Sequence, residues 1–254
     1  MPTTGPVRRV LAMHVVGHDI DMTAALDRAE LVIAPSAVVL RRARARGYDT
    51  TGWRVVPNAL LIDGRPPSTI HRRWLREHGP IRILSRLGPE KGVEELLTAA
   101  DNRLTHPVQV ALCAAGFEAA PRSQQRLLDA CRDLATPIGA TILPGLPWDQ
   151  VPAWLAGSAV VIVPSLAETF GLVALEAMSR GAPVVAFDID NLPALIGDGG
   201  LLVPREHGHL GLWRAAGELL ADPIGYEQTS RAGSTRARDY RPAHIAGLLV
   251  KMVS

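Results

Sequence analysis

The stretch AVVIVPSLAETFGLVALEAMSRGAPVVAF (159–187) decides the fold. Its two ends, AVVIVPS (159–165) and PVVAF (183–187), are short continuous apolar runs, as expected of strands covered on both faces. Between them LVALEAMS reads as a helix, and Gly181 is suited to close it. Strand, helix and strand in so short a span make a parallel βαβ unit. The same alternation extends outward. Upstream lie a helix at 151–158, a strand ATILPG (140–145), a helix at 122–134 and a strand VQVALCAAG (108–116). Before these, IRILSRL (81–87) is a strand, and Val93, Leu96, Leu97 and Ala100 line one face of a helix. Downstream come GLLVP (200–204) and helices at 209–221 and 242–253. Toward the N-terminus, VRRVLAMHVV (7–16), LVIAP (31–35) and WRVVPN (53–58) read as strands. Helices at 25–30 and from Ser36 to Arg46 separate them, and Gly47 ends the second. DGRPPS (63–68) continues neither regular structure and reads as a linker. The pattern predicts a doubly wound α/β fold.

Composition sets the outer limits. With 254 residues, 47% of them hydrophobic and 20% charged, the chain has the material for one large domain or two modest ones. A net charge of +2 gives no electrostatic case for nucleic acid as the main partner, although the cations comprise 25 Arg and only 2 Lys. Cys113 and Cys131 form no metal-ligand spacing and no disulfide framework, so a cytoplasmic protein with reduced thiols is expected. No apolar run approaches the ~20 residues of a membrane span. The N-terminal residues do not read as a signal peptide.

Ligands of doubly wound folds sit at the carboxyl ends of strands. At the first such end, SRLGPEKG (85–92), Arg86 and Lys91 flank the start of a helix. Two cations beside free helix N–H groups suit a diphosphate, while the plain alternative is two solvated charges. At the second end, Glu168 lies in the loop after the buried strand, and Gly171 permits close backbone approach where the next helix begins. Glu176 is the one acidic residue of an otherwise apolar helix. Its carboxylate needs hydrogen bonds, which sugar hydroxyls, a buried arginine or a backbone amide would each supply. Glu168 alone could equally be a loop carboxylate facing water.

Arg86, Lys91-Gly92, and Glu168 with seven residues before Glu176 resemble the donor-site pattern of retaining glycosyltransferases of family 4, which have the GT-B fold. The resemblance covers nearly the whole chain: RAELVIAPSAVVLRRARARGYDTTGWRVVPN (28–58) is similar to the end of the family's N-terminal domain, and 80–205 to its nucleotide-binding domain. It implies two Rossmann-like doubly wound domains, the N-terminal one incomplete. The implied segments are 1–62 for the partial acceptor-side domain, 63–79 for a linker with a connecting helix, 80–240 for the nucleotide-sugar domain and 241–254 for a helix packing back toward the first.

The resemblance also implies roles. Arg86 and Lys91 would neutralise the diphosphate of a UDP- or GDP-sugar, and Glu176 would accept hydrogen bonds from the ribose. Glu168 would hold the donor sugar, with the backbone of Phe170, Gly171 and Leu172 at sugar and phosphate. His14, at the end of the first strand, would face the sugar from the N-terminal domain. No metal or other cofactor is implied, and the acceptor hydroxyl is left open. The alternative from another class is a non-catalytic subunit that binds or stabilises a partner chain.

Some features compete with this reading or depart from it. Asp188-Ile189-Asp190 spells a DxD, the metal motif of the other glycosyltransferase fold, but falls where this family has a glycine-rich loop. His14 and His18 are spaced i, i+4 with Gly17 between and no helix indicated; His207 and His209 lack a third ligand and read as a solvated loop. Arginines 41, 42, 44 and 46 read as a solvated helix face, with contact to an anionic membrane surface or acidic partner as the minor alternative. The family's proline-glutamate reads Pro193-Ala194 and its preceding glycine pair Asp190-Asn191, which bears on sugar choice. Family members begin with a further stretch, including a glycine-rich loop over the phosphates. A section 1–62 with about three strands therefore suggests a fragment, a reduced domain, or a domain completed by a second chain.

Overall fold

The computed structural model describes residues 9–16, 20–100, 105–116 and 120–253. Their contacts divide the chain into two units, Met1–Leu61 with Asp239–Ser254, and Ile62–Arg238. The smaller unit carries β1 (Val10–Ala12), α1 (Ile20–Arg28), β2 (Leu31–Ala34), α2 (Ala37–Ala45) and β3 (Arg54–Val55). Its strands pair in parallel in the order β1-β2-β3, with Leu11 opposite Val32 and Ile33 opposite Arg54. The expected strands at 7–16 and 53–58 are shorter than predicted. Pro57 has no N–H to continue the ladder beyond β3, and residues 7 and 8 lie outside the described residues. Met13, Val32, Ala34, Val39, Ala43 and Trp53 form this unit's core. The terminal residues join it through a bond from the Leu60 N–H to the Tyr240 carbonyl at 2.8 Å.

The larger unit runs through α3 (Thr69–His78), β4 (Ile81–Arg86), α4 (Val93–Thr98), β5 (Val108–Cys113), α5 (Ser123–Ala135), β6 (Thr141–Pro144), α6 (Val151–Ala156) and β7 (Val160–Val163). It continues with α7 (Leu172–Ser179), β8 (Val184–Phe187), α8 (Leu192–Ile196), β9 (Gly200–Val203), α9 (Gly208–Ala221) and α10 (Pro223–Ala237); α11 (Pro242–Val253) belongs to the smaller unit. The six strands are all parallel, in the order β6-β5-β4-β7-β8-β9. Every side chain of β7 and β8 is buried, which is why these strands read as unbroken apolar runs. Helix α7 is apolar on most sides because Ala174, Leu175, Ala177 and Met178 are all buried.

The chain reverses its direction of strand addition between β4 and β7, so the topological switch point lies there. These two strands pair only at Ile81–Val160 and Arg82–Val161. Beyond that register β4 continues to Arg86, and the unpaired carboxyl ends leave a crevice for the loops that follow.

Two helices escaped the sequence reading. In α10, PIGYEQTSRAGSTRA, small residues stand where an apolar stripe would announce a helix. The reason is close packing: a Cβ on Gly199 would lie 2.6 Å from Gly233 Cα, so the helix crosses the 197–199 turn at backbone distance. Its start is well capped, for the Asp222 carboxylate accepts from the N–H groups of Ile224 and Gly225 at 3.1 and 3.0 Å. Helix α8 is only five residues long, too short to show a period.

Tyr226 fixes α10 to the sheet. Its fully buried hydroxyl donates to the Ala159 carbonyl at 2.7 Å, just before β7. Tyr226→Phe is expected to lower the unfolding free energy of this unit by about 1–2 kcal/mol, because the carbonyl is left buried without its donor. Chemical denaturation of the two proteins measures it, and a loss below a few tenths of a kcal/mol would contradict this role.

Candidate functional site

Three loops converge at the carboxyl edge of the larger sheet. The first follows β4: Pro89–Lys91 makes one tight turn and Gly92, with φ of +65°, opens α4. A Cβ on Gly92 would lie 2.2 Å from the Pro164 carbonyl oxygen, so this loop rests directly on the end of β7. The second loop, 164–171, is joined to it by the Leu166 N–H, which donates to the Glu90 carbonyl at 2.9 Å. It ends at Gly171, whose φ of +105° turns the chain into α7 with Leu192 and Leu195 packed on its Cα. The third loop, 188–191, carries Asp190 at φ +53°.

Lys91 and Glu168 meet where the first two loops touch. The Lys91 ammonium donates to Glu168 Oε2 at 2.8 Å, with both side chains about 15% exposed. Glu168 Oε1 also accepts from the backbone N–H of Thr169 at 3.1 Å and Phe170 at 3.5 Å. The third loop holds this arrangement from below. Asp190 accepts the Glu168 N–H at 2.8 Å, and the Asn191 amide donates to the Phe170 carbonyl at 2.9 Å. Asp190-Asn191, which departs from the glycine pair, thus positions the acidic loop. Asp190 faces a backbone N–H, and the described residues contain no group of three His, Cys, Asp or Glu able to hold a metal.

The other sequence candidates are placed as follows. Arg86 turns to Glu90 at 3.9 Å, and both are about half exposed. Phe170 is buried, so its side chain serves the core and only its backbone is on offer; Leu172 is partly exposed at the first turn of α7. Glu176 lies one turn further along α7. Burial pushes its carboxyl up to about 6, against the pull of Arg180 four residues on. Among the described residues no group hydrogen-bonds to that carboxylate. His14 is exposed just after β1 in the smaller unit.

One expectation is corrected outright. His209 belongs to α9 and is not in a solvated loop: its ring stands edge-on to Phe187 at 5.0 Å, with Nε2 buried against Gly92. Burial lowers its pKa, opposed by the nearby Glu95. Arg205 was not foreseen either, and it donates to the Leu166 carbonyl at 3.3 Å. Beside the loops, a groove of about 680 Å³ runs over the carboxyl ends of β5 and β6, lined by Leu87, Leu112, Ala114, Pro144 and Gly145. Gln124 forms part of its wall and is fixed by two bonds to the backbone of Ala115, at 2.7 and 3.2 Å.

Comparisons agree with this architecture. The family profile "Glycosyl transferases group 1" matches residues 81–222, more than half of the chain. Among curated relatives, D-inositol 3-phosphate glycosyltransferase of Acidothermus cellulolyticus is 32% identical over 257 residues, spanning 96% of this chain and 55% of its own. Alpha-maltose-1-phosphate synthase of Mycolicibacterium smegmatis is 31% identical over 211 residues, 79% of this chain and 53% of its own. The chain thus spans about half the length of these relatives. Among solved structures, Anabaena HepE in complex with UDP and glucose superposes with a TM-score of 0.79 at 21% identity, over 96% of this chain and 70% of that one. Sucrose-phosphate synthase from Thermosynechococcus elongatus gives 0.72 at 22% identity, over 91% and 59%. With its three-stranded and six-stranded parallel sheets, this chain belongs to the group 1 glycosyltransferases, family 4, of GT-B fold.

Proposed function

We propose that this chain carries the donor side of a retaining, metal-independent hexosyltransferase that moves a sugar from UDP or GDP to an acceptor hydroxyl. The observation that carries the reading is the Lys91–Glu168 pair, held at the switch-point crevice by three interlocked loops. Lys91, joined by Arg86 from the half-exposed end of β4, would balance the charge that grows on the leaving diphosphate. The first turn of α7 offers the free N–H groups that attract an anion. Glu168 would then turn from Lys91 to the hydroxyls of the sugar, and Glu176 would accept from the ribose. The groove along β5 and β6 is the place for the base. His14 is assigned to the sugar by resemblance alone.

In this reading the bond from the sugar's anomeric carbon to the phosphate oxygen breaks as the acceptor oxygen attacks the same face. The acceptor's proton passes to the departing phosphate oxygen. Two protein cations perform the charge neutralisation, so the scheme calls for no metal. HepE, solved with UDP and glucose and with UDP-glucose, supports a nucleotide-sugar donor.

Titration calorimetry with UDP and GDP, each with and without sugar, tests the assignment together with a Glu176→Gln variant. One nucleotide is expected to bind, and the variant to bind it about tenfold more weakly or worse, having lost a charged acceptor. The same substitution should stabilise the unliganded protein. Folded Glu176 holds its proton up to about 6, above the ordinary 4.5, so the folded state binds more protons than the unfolded chain through that window. The ionised carboxylate therefore costs stability progressively as pH rises from 4.5 to 6, and fully at neutral pH. Glu176→Gln is expected to gain about 1–2 kcal/mol at pH 7 and nothing below the ordinary carboxylate range. Binding of neither nucleotide would favour the non-catalytic subunit instead.

A further inference from the structure

Helix α7 starts at the donor loops and ends at Arg180, so the groups around Arg180 lie at the opposite, amino edge of the sheet. There α3 and α10 enclose a second cavity, of about 170 Å³, with Pro66 and Pro67 of the linker as one wall. Arg72, Arg231 and Arg238 line it, with Thr69 and Thr235 contributing hydroxyls. Among the described residues Glu227 is the one carboxylate in the lining, and Arg73 already takes both its oxygens, at 2.5 and 3.2 Å.

The balance of charge is what points to a ligand. Arg72 is 3% exposed, yet its guanidinium donates only to the carbonyls of Ala156, Ser158 and Arg180 and to the Tyr226 hydroxyl. Its Nε is buried and has no partner among the described residues. Among the described residues Arg72, Arg231 and Arg238 make no direct ion pair, although Arg73 and, more weakly, the nearby Arg231 hold the Glu227 carboxyl below its ordinary value. Carbonyls satisfy the terminal N–H groups of Arg72 but carry no formal charge, so an anion beside the Nε would balance the guanidinium. The cavity is well below the ~300 Å³ at which sites for drug-sized ligands begin, so the anion is small. The guanidinium groups of Arg231 and Arg238, the Arg72 Nε and two hydroxyls offer more donors than the two oxygens of a carboxylate can accept. A tetrahedral phosphate, whose oxygens match guanidinium forks, uses them.

We propose that this cavity binds a phosphate group, either free phosphate or the monoester of a small molecule. Because Pro66 and Pro67 form a wall, the bound group would tie the linker to α10. The site is separate from the donor loops and does not depend on their assignment.

Calorimetry at constant ionic strength tests it, using a Lys91→Ala background so that the donor loops do not contribute. Inorganic phosphate is expected to bind with one-to-one stoichiometry. Adding Arg231→Gln and Arg238→Gln, both on exposed positions, should weaken that binding at least tenfold while leaving the ligand-free melting temperature unchanged. Glucose 1-phosphate in parallel separates the two sources: tighter binding than free phosphate assigns the cavity to a monoester, and the reverse order to free phosphate. The proposal is overturned if phosphate fails to bind the Lys91→Ala protein, or binds it as well after the two arginines are replaced. Binding seen in the wild-type protein but lost with Lys91→Ala alone would place the phosphate at the donor loops, and would also sink it.

Discussion

Replacing Lys91 with alanine is expected to slow hydrolysis of the bound nucleotide-sugar by about 10²–10³-fold, the usual cost of removing one preorganised group that stabilises transition-state charge. Folding should change little. Glu168 keeps its bonds to the N–H groups of Thr169 and Phe170, so the carboxylate is not stranded when the ammonium goes. The comparison that decides between roles is nucleotide affinity against stability. If the pair only braces the two loops, the variant loses stability and binds nucleotide normally. If Lys91 serves the diphosphate, binding and turnover fall while the melting temperature holds. Lys91→Arg should recover only part of the activity, since a planar fork cannot reproduce a compact ammonium 2.8 Å from Glu168. Losses from Lys91→Ala and Glu168→Gln should fall short of additive, because each removes the other's partner in the 2.8 Å pair.

Strands β7 and β8 were legible because burial on both faces selects apolar, largely β-branched residues, as in AVVIVPS and PVVAF. The acidic loop was legible for a related reason. Glu168 and Gly171 stand between two such strands, where a doubly wound fold must expose a loop at its carboxyl edge. What supports that loop was not legible. Asp190 acts through its carboxylate on the Glu168 N–H, and its own backbone sits at φ +53°. Sequence position shows the residue type but not which amide a turn will bring to it. Helix α10 was hidden because closeness to Gly199 selects small residues, which erases the apolar stripe. His209 was read as solvated although it opens the expected helix at 209–221, because only tertiary packing carries this ring onto Phe187.

The largest effect on stability is expected from Arg72→Ala, a residue that composition alone would assign to the surface. Its side chain closes the ends of two helices at once. One terminal nitrogen donates to the Ser158 carbonyl at 2.5 Å; the other reaches Ala156 at 2.9 Å and Arg180 at 3.0 Å. Ala156 is the last residue of α6, and Arg180 caps α7, so these are carbonyls that no later turn of helix can satisfy. A cation at helix carboxyl ends is also favoured by the helix dipole. Removing the guanidinium leaves three acceptors inside the protein and a void beside Tyr226, at a cost of about 3–5 kcal/mol. Arg72→Met should cost nearly as much, because filling the volume returns no donors to the carbonyls. Arg72→Lys should recover part of the loss through its three N–H groups. Hydrogen exchange at the amides of β7, which Ser158 immediately precedes, reads the effect within the larger unit. Protection there should fall by roughly two to nearly four orders of magnitude in Arg72→Ala, the equilibrium factor of about 3–5 kcal/mol. A fall of less than tenfold would mean that water or a neighbouring donor replaces the guanidinium, and that the two helix ends do not depend on it.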